Sequence, residues 1–327
     1  MPKGYHHLTR DQRSQIFVLK AINLPQISIA EKLGVHRSTI SRELRRNKGK
    51  RIYQYAQADK LSIQRRQHAS TRPRRMTPEI VARIKMDLEK KWSPEQISGR
   101  LRLEKKYISH ERIYQHIWDD KKAGGTLYKH LRHAGKKYNK RSSGKAGRGC
   151  IPNRVDIKNR PAIVEEKSRI GDWEGDLIIG AEHQGALLTY VDRHSKFTKM
   201  AKLPNKTAEE VFVATENTLG KLAYFVKTIT YDNGKEFAMH LDVSKSLQAQ
   251  CFFATPYHSW ERGLNEHTNG LIRQYFPKKS NLLMLSNKEV QRVEDALNDR
   301  PRKVLGYKTP REVFLASQAG SFVALQA

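Results

Sequence analysis

Hydrophobic positions change their rhythm part-way along the chain. Up to about residue 130, apolar residues recur every three to four positions, the spacing of helices with one buried face. From about residue 160, short β-branched runs alternate with amphipathic stretches, the pattern of an α/β core. Thr9 followed by Gln12 has capping-box spacing and predicts a helix to about Ala21. SIAEKLGVHRSTISRELRRN, residues 28–47, predicts two helices around a turn at Gly34, with Ile29, Ala30 and Leu33 inward on the first, Val35 sealing the turn, and Ile40 and Leu44 inward on the second. That is the helix-turn-helix pattern. Its second helix turns Arg37, Ser38, Thr39, Arg42, Arg45 and Arg46 outward, where such side chains reach base edges and phosphates in a major groove. The same pattern also suits a helical hairpin with a solvated basic face.

A weaker version follows. Ser93-Pro94-Glu95-Gln96 supplies an N-cap, a first-turn proline and a box residue ahead of Ile97 and Leu101. Ser109 then caps a helix expected to bury Ile113, Ile117 and Trp118 and to present Glu111, Arg112 and Gln115 outward. It is either a second DNA reader or a plain packing unit. The expected division is residues 1–50, helix-turn-helix; 51–132, a second helical DNA-binding region; 133–160, a basic Gly/Ser-rich linker; 161–285, an α/β core; and 286–327, a helical extension.

Three segments of the core carry acids. In GDWEGDLIIG, residues 171–180, strand alternation sets Asp172, Glu174 and Asp176 on one face, with Asp176 expected deepest, just before an apolar run. VKTITYDNGKEF, residues 226–237, reads as a strand ending at Asp232, where α/β sheets place their sites. An aspartate before Asn-Gly is also an ordinary turn former. HSWERGLNEHTNGLIRQYF, residues 258–276, reads as a helix with Trp260, Leu264, Leu271 and Tyr275 on one side and Arg262, Glu266, Asn269 and Arg273 on the other. Each acid alone suits a solvated face. Two strand acids and one helix acid together suit hard divalent cations, which take carboxylate oxygens and can activate a water or a DNA 3′-hydroxyl. His258, Arg262 and Arg273 are candidates for DNA phosphate, or for caps and surface ion pairs. Asp192 and Glu236 read as turn and helix-start residues.

Charge sharpens this picture. Among 327 residues, 62 Lys and Arg face 33 Asp and Glu, a net +29. Residues 1–150 account for +25 and residues 151–327 for +4, so the polyanion-binding character lies in the first half. Cys150 and Cys251 are unsuited to a disulfide framework, and no apolar run approaches the ~18 residues a membrane span needs. A cytoplasmic, nucleoid-associated protein with no membrane partner is expected. There is no Gly-rich Walker loop, hence no expected nucleotide cofactor, and no Cys-x-x-Cys pair for a zinc finger.

The segments SIAEKLGVHRSTISRELRRN, DWEGDLIIG, YDNGKEF, TPYHSWERGLNEHTNGLIRQYFPK and LNDRPRKVLGYKTPREVF, in this order, resemble the insertion-sequence-thirty family of bacterial transposases. The resemblance implies a ribonuclease-H-like, integrase-type core with a mixed five-stranded sheet. It implies that Asp176, Asp232 and Glu266 form a DDE triad holding Mg²⁺, with Mn²⁺ substituting, and that 33 residues between the last two are typical. His267 stands where the family usually has Asn, beside the acid rather than in the triad. It further implies cutting and joining of double-stranded DNA at terminal inverted repeats, and a homodimer or higher homo-oligomer in the synapse. A regulator or domesticated remnant that only binds DNA shares the helix-turn-helix but has no use for the acids.

Overall fold

Residues 7–49, 52–70, 76–132, 151–256, 258, 261 and 263–324 are described by a computed structural model. Of the linker expected over 133–160, residues 133–150 lie outside this description, as does Arg262. The chain divides into two units, Met1–Arg75 and Met76–Ala327.

The first unit holds α1 (Arg10–Ala21), α2 (Gln26–Lys32), α3 (Arg37–Asn47) and α4 (Tyr55–Ser70). Thr9 and Gln12 close the expected capping box, with N···O distances of 3.0 and 3.2 Å. Gly34 takes φ +62° at the α2–α3 turn, a left-handed conformation that suits glycine. The Val35 amide then closes the turn on the Ala30 carbonyl at 3.0 Å. Ile16, Ile29 and Ile40 meet in a buried core. Arg13, buried, binds these helices together: it donates to Glu43 of α3 at 2.9 Å and to Asp59 and Ser62 of α4 at 3.0 and 3.1 Å.

The second unit begins with α5 (Pro78–Glu89), α6 (Pro94–Leu103) and α7 (His110–Lys122), packed around Ile84, Leu88, Ile97, Leu101, Ile113 and Ile117. Ser93 and Gln96 form the second capping box. Trp118 departs from expectation. It is 42% exposed, with Lys121 over its ring, because one residue beyond Ile117 is a third of a turn off the buried stripe.

The sheet contains β1 (Asp172–Ile179), β2 (Ala186–Asp192), β3 (Thr198–Leu203), β4 (Thr228–Tyr231) and β5 (Gln250–Phe253), in the order β3-β2-β1-β4-β5. The β1–β2 and β2–β3 pairs are antiparallel; β1–β4 and β4–β5 are parallel. This is the mixed five-stranded sheet the sequence led us to expect. Between and after the strands run α8 (Ile163–Glu166), α9 (Ala208–Leu219), α10 (His240–Leu247), α11 (Gly263–Ile272), α12 (Asn287–Asn298) and α13 (Pro310–Ala324). One sheet face buries Trp173, Tyr190, Ile229 and Tyr231 with Val211 of α9, Val243 of α10 and Phe314 of α13. The other buries Ile178, Leu187 and Met200 with Leu271 and Ile272 of α11 and Val290, Val293 and Leu297 of α12. The even-numbered side chains of β1 thus face α11.

Two further ties order the second unit. Glu294 of α12 accepts from the Met200 amide at 2.7 Å, and the Asn298 side chain bonds both the Thr198 amide and its carbonyl at 2.8 Å. Across α6, Arg100 grips Glu312 of α13 at 2.9 and 2.6 Å, and Gly99 lies against the Tyr307 ring. A Cβ on Gly99 would stand 2.2 Å from that ring, so only glycine permits the approach. Among the described residues, no helix is long and apolar enough to cross a membrane.

Candidate active site

The parallel pairing of β1 with β4 sets Asp172 opposite Thr228, Trp173 opposite Ile229 and Glu174 opposite Thr230. Pairing stops there. Carried on at the same offset, the register sets Asp176 beside Asp232, on neighbours that run about 4.8 Å apart where they pair. Both aspartates are half-buried and line one cleft of about 590 Å³, with Lys206, Thr207 and the turn 233–236 completing its walls. The turn is pinned from three sides. Asp232 Oδ1 accepts from the Gly234 amide at 2.9 Å, Asn233 donates to the Ala254 carbonyl at 2.7 Å, and Arg154 donates to Asn233.

Glu266 is exposed on α11. Asn269, one turn further on the same helix face, donates through Nδ2 to Asp176 Oδ2 at 2.5 Å. The structure therefore brings Asp176 and Asp232 to one cleft and ties the helix of Glu266 to Asp176. Among the described residues, no three His, Cys, Asp or Glu side chains stand close enough together to hold a metal ion. The donor set still suits a hard cation, being all carboxylate oxygen on adjacent elements.

The other acids have different employment. Asp172 and Glu174, not Asp176, are the deepest acids of β1, at 0% and 2% exposure. Asp172 takes Arg169 at 2.9 and 3.1 Å and the Thr228 hydroxyl at 2.9 Å; Glu174 takes Arg193 at 2.7 Å. These arginine partners make the burial tolerable, and alternation along one strand cannot reveal them. Asp192 is the turn residue expected. It accepts from the Gly171 amide at 2.8 Å and from the Ser195 amide and hydroxyl at 2.7 and 2.5 Å, while burial pushes its pKa up. Glu236 lies in a 3₁₀ turn, Lys235–Phe237, that brings it to the wall of the cleft.

His258 pairs with Glu261 at 3.3 Å, and Glu261 in turn accepts from the Thr255 amide at 2.8 Å. Arg273 donates to the Ile179 and Pro277 carbonyls at 3.0 and 3.3 Å, and burial lowers its pKa. On α3, Arg37, Arg42, Arg45 and Arg46 are exposed, with Ser38 and Thr39 half-buried. Arg42 and Arg46 share a surface hollow with Arg65 and Arg66 of α4, and Arg65 caps the end of α3 through the Arg46 carbonyl at 3.1 Å. Arg112 and Gln115 are exposed on α7 and bonded to each other at 3.2 Å. Cys251 sits in the core, where burial pushes its thiol up to about 12, which leaves it no nucleophilic role.

The helix-turn-helix domain family matches residues 4–47, and the integrase core domain family matches residues 167–259. The transposase for insertion sequence element IS4351 of Bacteroides fragilis is 47% identical over 310 residues, 94% of this chain and 95% of that one. Transposase InsI for insertion sequence element IS30A of Escherichia coli (strain K12) is 36% identical over 320 residues, 94% of this chain and 83% of that one. The chain belongs to the IS30 family of transposases.

The transposase therefore joins a helix-turn-helix DNA-binding region to an integrase core that cleaves and transfers DNA. The crystal structure of the catalytic core domain of BIV integrase overlaps 46% of this transposase and 98% of that chain, at 19% identity and a TM-score of 0.38. That overlap is too loose to carry the fold, which rests on the matched families and the strand order. Four side chains at or beside the transposase's cleft escaped sequence reasoning as site residues: Asn269, Lys206, Lys235 and Arg154. Only Asn269 had a signal, its place one turn from Glu266 on the polar stripe.

Proposed function

We propose that this transposase binds the terminal inverted repeats of its own element through α3 and cuts and joins DNA at Asp176, Asp232 and Glu266. The register that sets Asp176 beside Asp232 at the mouth of one cleft carries this reading. These three acids would hold Mg²⁺, with Mn²⁺ able to substitute. When bound, the metal supplies activation of the attacking oxygen, from water or a DNA 3′-hydroxyl, and neutralises charge on the leaving oxygen. The protein's own contribution is positional. Asn269 fixes one oxygen of Asp176, the pinned turn fixes Asp232, and Lys206 and Lys235 place positive charge where a phosphodiester would lie. Arg37, Ser38, Thr39, Arg42, Arg45 and Arg46 read the end, Arg112 and Gln115 contact DNA from α7, and His258 and Arg273 meet its phosphates. Two or more copies act together on paired ends, on DNA in the cytoplasm.

The test is separation of binding from chemistry. Asp176→Asn, Asp232→Asn and Glu266→Gln should each abolish cleavage and joining of an element end while end binding persists. The losses should not add, because the acids act as a unit. Glu236→Gln should keep substantial cleavage, as should Asp172→Asn and Asp192→Asn once circular dichroism shows that these buried positions still fold. An active Asp176→Asn protein beside a dead Glu236→Gln protein would overturn the site, and full activity in chelator would overturn the metal mechanism.

A further inference from the structure

The stretch after α12 buries two arginines without an acid. Arg300 and Arg302 are 2% and 6% exposed. Arg300 donates to two neutral amides, Gln96 at 2.9 Å and Gln274 at 2.7 Å. Arg302 donates to the Leu297 carbonyl at 3.3 Å, and its Nε has no partner. Among the described residues no carboxylate pairs with either. A guanidinium cannot shed its proton to escape burial, so an uncompensated one is strongly disfavoured unless an anion completes it.

Arg302 lines a cavity of about 510 Å³, distinct from the cleft of Asp176 and Asp232. Lys167, Arg193, Lys196 and the first residues of α11 line it too, along with Glu165, Glu174 and Glu261. The carboxylates are engaged in part, Glu174 keeping one buried oxygen without a partner. Glu165 and Glu174 take Arg193 at 2.9 and 2.7 Å, and Glu261 takes His258 and the Thr255 amide. Four cations, Lys167, Arg193, Lys196 and Arg302, thus line the cavity against three carboxylates, a surplus of one positive charge. The Lys196 ammonium donates to the Arg193 carbonyl, and burial together with Lys167 pushes its pKa down to about 8. Gly263 opens α11 at the cavity wall with open space where a Cβ would stand. First-turn amides of a helix lack partners within it and favour an anion.

We propose that this cavity binds a phosphodiester group of a DNA strand, held by Arg302, Lys196 and the first turn of α11. The transposase reading enters only in the choice of DNA as the source of the phosphate. Because the same helix carries Glu266 and Asn269, a strand anchored here is held in register with the cleft.

Inorganic phosphate is the first probe, with the full chain. Phosphate should raise the melting temperature above that in sodium chloride of equal ionic strength. Arg302→Gln and Lys196→Gln should lose that rise. Lys196 lies in a turn, so Lys196→Gln keeps the question answerable if Arg302→Gln does not fold. Random-sequence duplex DNA is the second probe. Each variant should lower the slope of log affinity against log salt by about 1, the loss of one phosphate contact. Equal phosphate shifts in wild type and both variants would overturn the site. A lost phosphate shift with an unchanged salt slope would show a site for small free anions and overturn the strand. Neither measurement involves cleavage, so a failure of the triad reading leaves this one separately decided.

Discussion

At the scale of single residues, position along β1 says little about depth, because partners decide it. Asp172 and Glu174 tolerate full burial through Arg169 and Arg193, whereas Asp176 stays half-buried and meets an amide instead. That amide should matter. Asn269→Leu removes the partner of Asp176, and loss of such a supporting hydrogen bond commonly costs ~10–100-fold in metal affinity or activity. Cleavage of an element end should slow by about that factor while end binding is unchanged; an unaltered rate would show that Asn269 is mere packing. Lys196 offers a second measurement. Folded, it releases its proton at about 8 under burial and the charges of Lys167 and Arg193, opposed by Asp192 and Glu174; its ordinary value is 10.5. Between those values the unfolded chain binds more protons, so this lysine makes stability rise with pH. Below about 8 both states hold the proton and its contribution is flat. Denaturant unfolding of wild type and Lys196→Met at pH values spanning that window should show the extra slope in wild type alone.

At the scale of elements, local chemistry was readable and faces were less so. Both capping boxes, the Gly34 turn and the alternating strands form where short-range spacing puts them. On α11 the polar stripe misleads in part. Asn269 and Arg273, on the polar stripe with Glu266, are half-buried against β1 and donate to Asp176 and the Ile179 carbonyl. Hydropathy assigns such residues to solvent, and only the packing of α11 against the sheet overrules it. α3 follows the simpler rule, its four arginines all exposed. Arg42→Ala should weaken binding to cognate ends by about 1–3 kcal/mol, as loss of a base contact does. Titration against random duplex is the control, since an equal loss there marks Arg42 as a phosphate contact.

At the scale of the whole molecule, the charge asymmetry and α/β pattern were visible in the sequence, but the attachment of α5–α7 was not. It depends on residues some 200 positions apart: Arg100 with Glu312, Arg300 with Gln96, and Gly99 against Tyr307. The Arg100–Glu312 pair is partly exposed and contributes at most about 1 kcal/mol. The Gly99 contact is the tighter constraint. Gly99→Val should destabilise the second unit by about 1–3 kcal/mol through overpacking, read as a lower denaturation midpoint, while Arg100→Ala stays near wild type. Equal effects would mean that the ring contact yields easily. The bonds from Glu294 and Asn298 to β3 have a consequence for incomplete chains. β3 is the outermost strand on its side of the sheet, and α12 occupies main-chain groups that would otherwise be free to pair. A nascent or prematurely terminated product ending before Ser286 bares that edge, a template for strand addition by another copy. A chain ending at residue 285 should therefore sediment as aggregate where the full chain stays dispersed, and a dispersed fragment would show that the edge needs no cover from α12.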